Sequence, residues 1–266
     1  MKSKRFRFAI ALAILSLLSL PAAGIAEDVL YLYGPGGPAP AMKEAAEVFG
    51  KANNVLLEVT AGPTGQWLAK AKADADLIFS GSEYMMTDFI VAMEGRIDVA
   101  TVTPLYLRPS AILVRPGNPK RIGHFTDLLK AGTKVLVVQG AGQAGLWEDV
   151  AGRQGNMETV RAFRKNIVAY AANSAEAKKT WTEKPEIDAW LIWNIWQVAN
   201  PTIADLVSMG PDYVIYRDCG IAITEKGKKG PLARKFVDFL MSKEGGGIFA
   251  KWGWIVPGAG VSATVR

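Results

Sequence analysis

Short apolar runs rich in Val, Ile and Leu alternate along this chain with stretches whose apolar residues recur every three or four positions. "VLYLYG" (29–34) precedes "AMKEAAEVFGKAN" (41–53), where Met42, Ala45, Ala46 and Phe49 share one helical face. "VLLEVTAG" (55–62) precedes "QWLAKAKA" (66–73), and "ADLIFSGS" (75–82) leads into "EYMMTDFIVAMEG" (83–95). The rhythm returns at "KVLVVQG", at "NIVAYAANS" before "AEAKKTW", and at "EIDAWLIWN". Strands alternating with helices predict right-handed βαβ units and an α/β fold, with mainly parallel sheets covered by helices on both faces.

Two stretches break the rhythm. Residues 100–119 and 212–227 are long and extended, with no helix between their apolar positions. They are expected to run side by side as a two-strand hinge. One lobe would hold 27–107 and 217–266, and the other 108–216. A single larger sheet with two long strands is the alternative.

Five predicted strands end in small or polar residues where a helix begins. These junctions are Gly34 to Gly37, Gly62 to Gln66, Ser80 to Ser82, Gly140 to Gln143, and Asn173-Ser174. In an open α/β sheet, ligands bind beyond these carboxyl ends. Each helix start offers unpaired N–H groups and a positive dipole end worth roughly 0.3–1 kcal/mol toward an anion. Ordinary capping and turn chemistry explains any one junction. Five of one character point to a ligand crevice.

The first residues add a destination. Lys2, Lys4, Arg5 and Arg7 precede an apolar run of 13 residues, Phe8 to Leu20, and "PAAGIA" supplies small residues before a cleavage site after Ala26. That order is a secretory signal peptide (1–26), with a run shorter than the roughly 20 residues of a spanning helix. No cysteine follows to carry a lipid. Removing the segment leaves 27 cations against 25 anions, so the basic character largely disappears and nothing argues for nucleic acid as a partner.

Composition then excludes chemistry. Cys219 is the single cysteine and His124 the single histidine. No internal disulfide can form, and neither a histidine-rich metal site nor a Ser-His-Asp triad is expected. Cys219, within "VIYRDCGIAI", reads as a buried thiol. Gly140, Gly142 and Gly145 match G-x-G-x-x-G after a strand, but the next strand ends in Asn173-Ser174 with no carboxylate for a ribose. The glycines read as one wall of an anion cradle, with no cofactor. Trp193 and Asn194 end a strand inside "DAWLIWNIWQ", where the tryptophans serve packing or the cleft. Arg108 and Arg217 sit on the two hinge stretches, where a guanidinium could meet an anion or form a surface ion pair.

Taken together, "LYGPGGPAPAMKEAAEVF", "AGPTGQWLAKAKADADLIFSGS", "PLYLRPSAILVRPGNP", "GAGQAGLWEDVAGR", "FRKNIVAYAANSAEAKK" and "DAWLIWNIW" resemble the accessory colonization factor (AcfC-like) family. Its members are periplasmic type II solute-binding proteins related to molybdate and sulfate binders. The resemblance covers nearly all of the chain after residue 26. It implies two α/β lobes, a small anionic solute between them, no catalysis, homodimers, and a membrane transporter or chemoreceptor as partner. Organic phosphates like 3-phosphoglycerate, carboxylic acids and inorganic oxyanions are the implied ligands. By position it implies contacts from Gly36, Gly37, Thr64, Gln66, Trp67, Ser80, Ser82, the 140–145 loop with Gly142 and Gln143, Asn173, Ser174 and Trp193. Relatives can carry a longer loop with a lysine where this chain has Gln143. A colonisation protein with a vestigial cleft, or a periplasmic hydrolase, are the rival readings.

Overall fold

A computed structural model describes residues 29–140 and 142–257. The basic start, the apolar run and the Ala26 cleavage site lie outside the described residues, as does the tail beyond Pro257. The amino-terminal part alternates β1 (Val29–Gly34), α1 (Ala39–Asn53), β2 (Leu56–Ala61), α2 (Thr64–Asp74), β3 (Leu77–Phe79) and α3 (Glu83–Ala92). The long strand β4 (Thr103–Val114) follows. Then come β5 (Val135–Val138), α4 (Leu146–Gly152), α5 (Met157–Asn166), β6 (Ile167–Ala171), α6 (Ser174–Glu183), β7 (Ala189–Trp193), the single turn α7 (Ile195–Val198) and β8 (Asp205–Ser208). The last elements are β9 (Tyr216–Ile223), α8 (Leu232–Leu240) and α9 (Lys243–Lys251).

The strands follow the order β2-β1-β3-β9-β4-β7-β5-β6, with β8 beside β4. Two parallel groups arise from the βαβ units: β1 with β2 and β3, and β5 with β6 and β7. The two long stretches add the antiparallel strands, so the sheet is mixed. Residues Thr103 to Pro109 of β4 pair with β9, whereas Ser110 to Val114 pair with β7 and β8. β4 therefore belongs to two halves of the sheet, and β9 lies against it with Arg108 directly opposite Arg217.

Burial follows the helical and strand periodicities. β5 and β7 are buried along their whole length, as expected of strands covered on both faces. A large core runs from Leu32 and Phe49 to Trp181 and Trp190, and a second cluster gathers Tyr33, Trp67, Met86 and Phe89 under α2 and α3. Arg115, at the end of β4, ties the end of α6 to this frame. Its guanidinium stacks on Trp181 at 3.5 Å and donates to the carbonyls of Trp181, Lys184 and Ile187.

Candidate functional site

The carboxyl ends of β1, β2, β3, β6 and β7, with the loop after β5, meet at one cavity of about 70 Å³. A single water needs roughly 10–15 Å³ on this measure, so the space takes only a handful of non-hydrogen atoms. Its wall includes Gly36, Gly37, Arg108, Gln143, Asn173, Ser174 and Trp193. Thr64 and Gly142 border an adjoining, more open space that shares Pro63, Met85 and Asn173 with the first. Gln66, Trp67, Ser80, Ser82 and Arg217 border neither.

Local chemistry explains that division. Ser82 caps α3, its hydroxyl accepting from the Met85 amide at 3.1 Å. The Ser80 hydroxyl accepts from the Gly220 amide, which ties β3 to β9. Trp67 is buried against Tyr33 and Phe89, and its indole N–H donates to the Gly62 carbonyl at 3.1 Å. That bond fixes the Gly62-Pro63 turn, so Trp67 shapes the wall from behind it. Arg217 pairs with Asp149 of α4 at 2.6 Å. Asn194 turns away to donate to the Gly253 carbonyl.

Arg108 is the only charged residue among those lining the cavity. It is 4% exposed, and its guanidinium lies 4.6 Å from the Trp193 ring and 4.9 Å from that of Trp254. Nη1 donates to the Asp218 carbonyl at 2.8 Å and Nη2 to the Gly81 carbonyl. Nε has no partner among the described residues. Burial pulls the pKa of Arg108 down to about 10, so it still carries its charge at neutral pH. No carboxylate pairs with it among the described residues; Asp218, one residue from the opposing Arg217, instead accepts the Glu83 amide. Asp218 acts on this buried cation through space without forming a salt bridge with it, and an anion in the cavity would lower the remaining cost of burying the charge.

The remaining wall supplies neutral polar groups. Asn173 caps α6 by accepting from the Glu176 amide, which leaves the first amides of that helix without intrahelical acceptors. At α1, Pro38 and Pro40 carry no N–H and the Ala39 amide donates to the Gly36 carbonyl at 3.3 Å, which leaves the Gly36 and Gly37 amides as the donors that the "GPGGPAP" turn offers the cavity. Gln143 Nε2 donates to Ser174 Oγ at 2.6 Å. Gln143 Oε1 and Trp193 Nε1 are buried and have no partner among the described residues.

Five contributors lie outside the junctions and candidate residues read from the sequence. Pro38, Met85, Ala175 and Trp196 line the cavity, and Trp254 supplies the far face of the Arg108 sandwich. Trp196 carried a signal, since it belongs to the Trp190–Trp193–Trp196 cluster. Met85 and Trp254 carried none, because their place depends on how distant segments meet. Cys219 is fully buried, and burial pushes its thiol pKa up, away from a reactive thiolate. Among the described residues, no group of three or more His, Cys, Asp or Glu is placed to hold a metal ion.

Residues 30–255 match the family model described as bacterial extracellular solute-binding protein. The crystal structure of PEB3 from Campylobacter jejuni is 35% identical, aligns with a TM-score of 0.79, and is matched over 99% of its length by 85% of this chain. PEB3 has also been solved with L-phospholactate bound, with a TM-score of 0.80 to this chain. The sulfate-binding protein of Escherichia coli K12 is 25% identical over 75% of this chain and 68% of its own. The sulfate-binding protein SubI of Mycobacterium tuberculosis and the molybdate-binding protein of Azotobacter vinelandii, at 18% and 16% identity with TM-scores of 0.74 and 0.66, share the fold. That fold is the type II periplasmic binding fold, and the chain belongs to the family of bacterial extracellular solute-binding proteins.

Proposed function

We propose that this protein is exported to the periplasm, where it captures one small anionic solute between two lobes and hands it to a membrane transporter without chemical change. The lobes are 27–107 with 217–266, and 108–216. β4 and β9 form the hinge. Gly36, Gly37, Arg108, Gln143, Asn173, Ser174 and Trp193 make the contacts. The observation that carries this reading is the buried, charged Arg108, which forms no salt bridge among the described residues, at the wall of a small cavity bordered by helix starts. The phospholactate held by PEB3 and the sulfate named for the Escherichia coli relative support an anion as the solute.

Contacts between the two lobes support a closed state. Gly142 packs on Met85 and Ser82, Gly36 and Gly37 lie against Trp196, and Arg217 reaches Asp149. Thermal unfolding of residues 27–266 against sulfate, phosphate, molybdate, 3-phosphoglycerate, citrate and lactate tests the reading. A ligand at a hundred times its Kd adds about 2.7 kcal/mol, which moves the midpoint by several degrees. A selective rise that persists on standing is the expected result. A flat panel on protein stripped of bound solute overturns anion capture and favours an interaction protein with a vestigial cleft.

A further inference from the structure

The Gln143 side chain is 4% exposed and lines the cavity, yet its two amide atoms have unequal fates. Nε2 is engaged by Ser174 Oγ, whereas Oε1 has no donor among the described residues. The backbone around it is fixed by two consecutive turns. The Gln143 amide donates to the Gly140 carbonyl at 3.0 Å, and the Gln143 carbonyl accepts from Leu146 at 3.1 Å. The residue before it is locked as well, since Gly142 has φ +76° and faces Met85 and Ser82 across the gap. The backbone that carries the side chain is therefore fixed at the cavity wall, and the side chain is buried there.

The other unpartnered polar side-chain atoms of the wall are donors. Arg108 Nε–H and Trp193 Nε1–H are buried without acceptors. Ser174 Oγ, having accepted from Gln143, keeps its own hydrogen to give. A fully deprotonated tetrahedral anion satisfies these donors but sets an oxygen against Oε1. Two acceptors then face each other in a buried site, and a carbonyl stripped of water is left unpaired. An anion that retains one O–H offers Oε1 a donor while its other oxygens remain acceptors for these groups.

We infer that Gln143 is a specificity-determining residue whose Oε1 accepts a hydrogen bond from the solute, so that the site selects anions carrying an O–H and rejects sulfate and molybdate. The chemistry required is that of a monoprotonated phosphate or phosphate monoester, or of a hydroxy acid. This inference rests on anion capture at the Arg108 cavity and narrows its ligand class. Sites built to pair a solute hydroxyl reject analogues that lack it far more strongly than apolar pockets reject a missing methylene. The resemblance to a sulfate-binding protein does not carry over to sulfate itself.

Equilibrium binding by calorimetry at about pH 6, where phosphoryl groups retain a proton, compares inorganic phosphate with sulfate and lactate with acetate. Phosphate is expected to bind at least about tenfold more tightly than sulfate. Tighter binding of lactate than acetate, with neither tetrahedral anion bound, also supports the inference and assigns the O–H to a hydroxy acid. In Gln143→Lys, a donor without an acceptor, the order should reverse toward sulfate, and in Gln143→Met the preference should vanish. Sulfate binding as tightly as phosphate in the parent protein overturns the inference, puts Nε2 toward the solute, and leaves anion capture standing. Failure of every small anion to bind overturns both.

Discussion

Arg108 is held by two carbonyls, each on its own guanidinium nitrogen, and by two indoles; a lysine in its place would bring one nitrogen to both carbonyls and no plane to stack on either ring. Arg108→Lys is expected to lower stability by about 1–3 kcal/mol in urea unfolding, because one buried carbonyl loses its donor. It should also weaken solute binding. A second side chain gives a pH signature. Asp127 pairs with Lys130 at 2.7 Å and accepts the amides of Gly123 and His124, and these contacts pull its pKa from 3.8 to about 2. Its carboxylate thus favours the folded state above pH 3.8, and the benefit disappears as the pH falls toward 2. Asp127→Asn should melt earlier than the parent at neutral pH and converge with it near pH 2, as read from midpoints across that range. At this scale the sequence located Arg108, Gln143 and Ser174 at a strand end or on a hinge. Its capping alternative anticipated the Ser82 hydroxyl on a first-turn amide of α3, but it could not assign the Trp67 indole to the Gly62 carbonyl. Position along a strand tells where a polar group lies, not which neighbour reaches it first.

The turn from β5 to α4 depends on glycine at position 142. A Cβ there would lie 2.6 Å from Met85 Cε and 3.3 Å from Met85 Cβ, at a φ of +76° that side chains rarely adopt. Gly142→Ala should cost about 1 kcal/mol in backbone strain alone and weaken solute affinity by holding this loop off α3, a combination that parallel unfolding and binding measurements would detect. The start of α3 carries a different strain. Burial and the neighbouring Asp218 push the Glu83 pKa up from 4.5, so its ionised form disfavours the folded state. Glu83→Gln is expected to raise the melting midpoint at neutral pH, with the gain shrinking as the pH falls toward 4.5, because the parent's carboxyl takes its proton in the fold before it would in the unfolded chain, and with no gain left below that value. Elements with strong periodicity, such as α1, β1 and β6, emerged from the sequence nearly to the residue. α9 did not, because Gly245, Gly246 and Gly247 interrupt its pattern. Packing requires the first of them, since a Cβ at Gly245 would meet the Phe239 carbonyl at 2.3 Å. β8, four residues long and paired only with β4, offers too short a pattern to read.

At the level of the whole molecule, hinge closure predicts that small-angle scattering gives a smaller radius of gyration for the solute-saturated protein than for the stripped one; equal values would count against lobe movement. The α/β class and the pairing of the two long stretches were legible because strand and helix periods differ and because neither stretch contains a crossover helix. The order of strands was not, since β9 reaches its place between β3 and β4 only through contacts across the whole chain. That insertion bears on how the protein is born. As the polypeptide emerges from the ribosome, Leu77, Ile78 and Phe79 of β3 have their inner edge open, and they close it only against Ile221, Ala222 and Ile223. Everything between is made first, including all of the second half of the sheet. The first half therefore cannot complete its sheet until β9 has been made, so its last strand waits on a segment some 140 residues downstream, as the Ser80 to Gly220 bond also records.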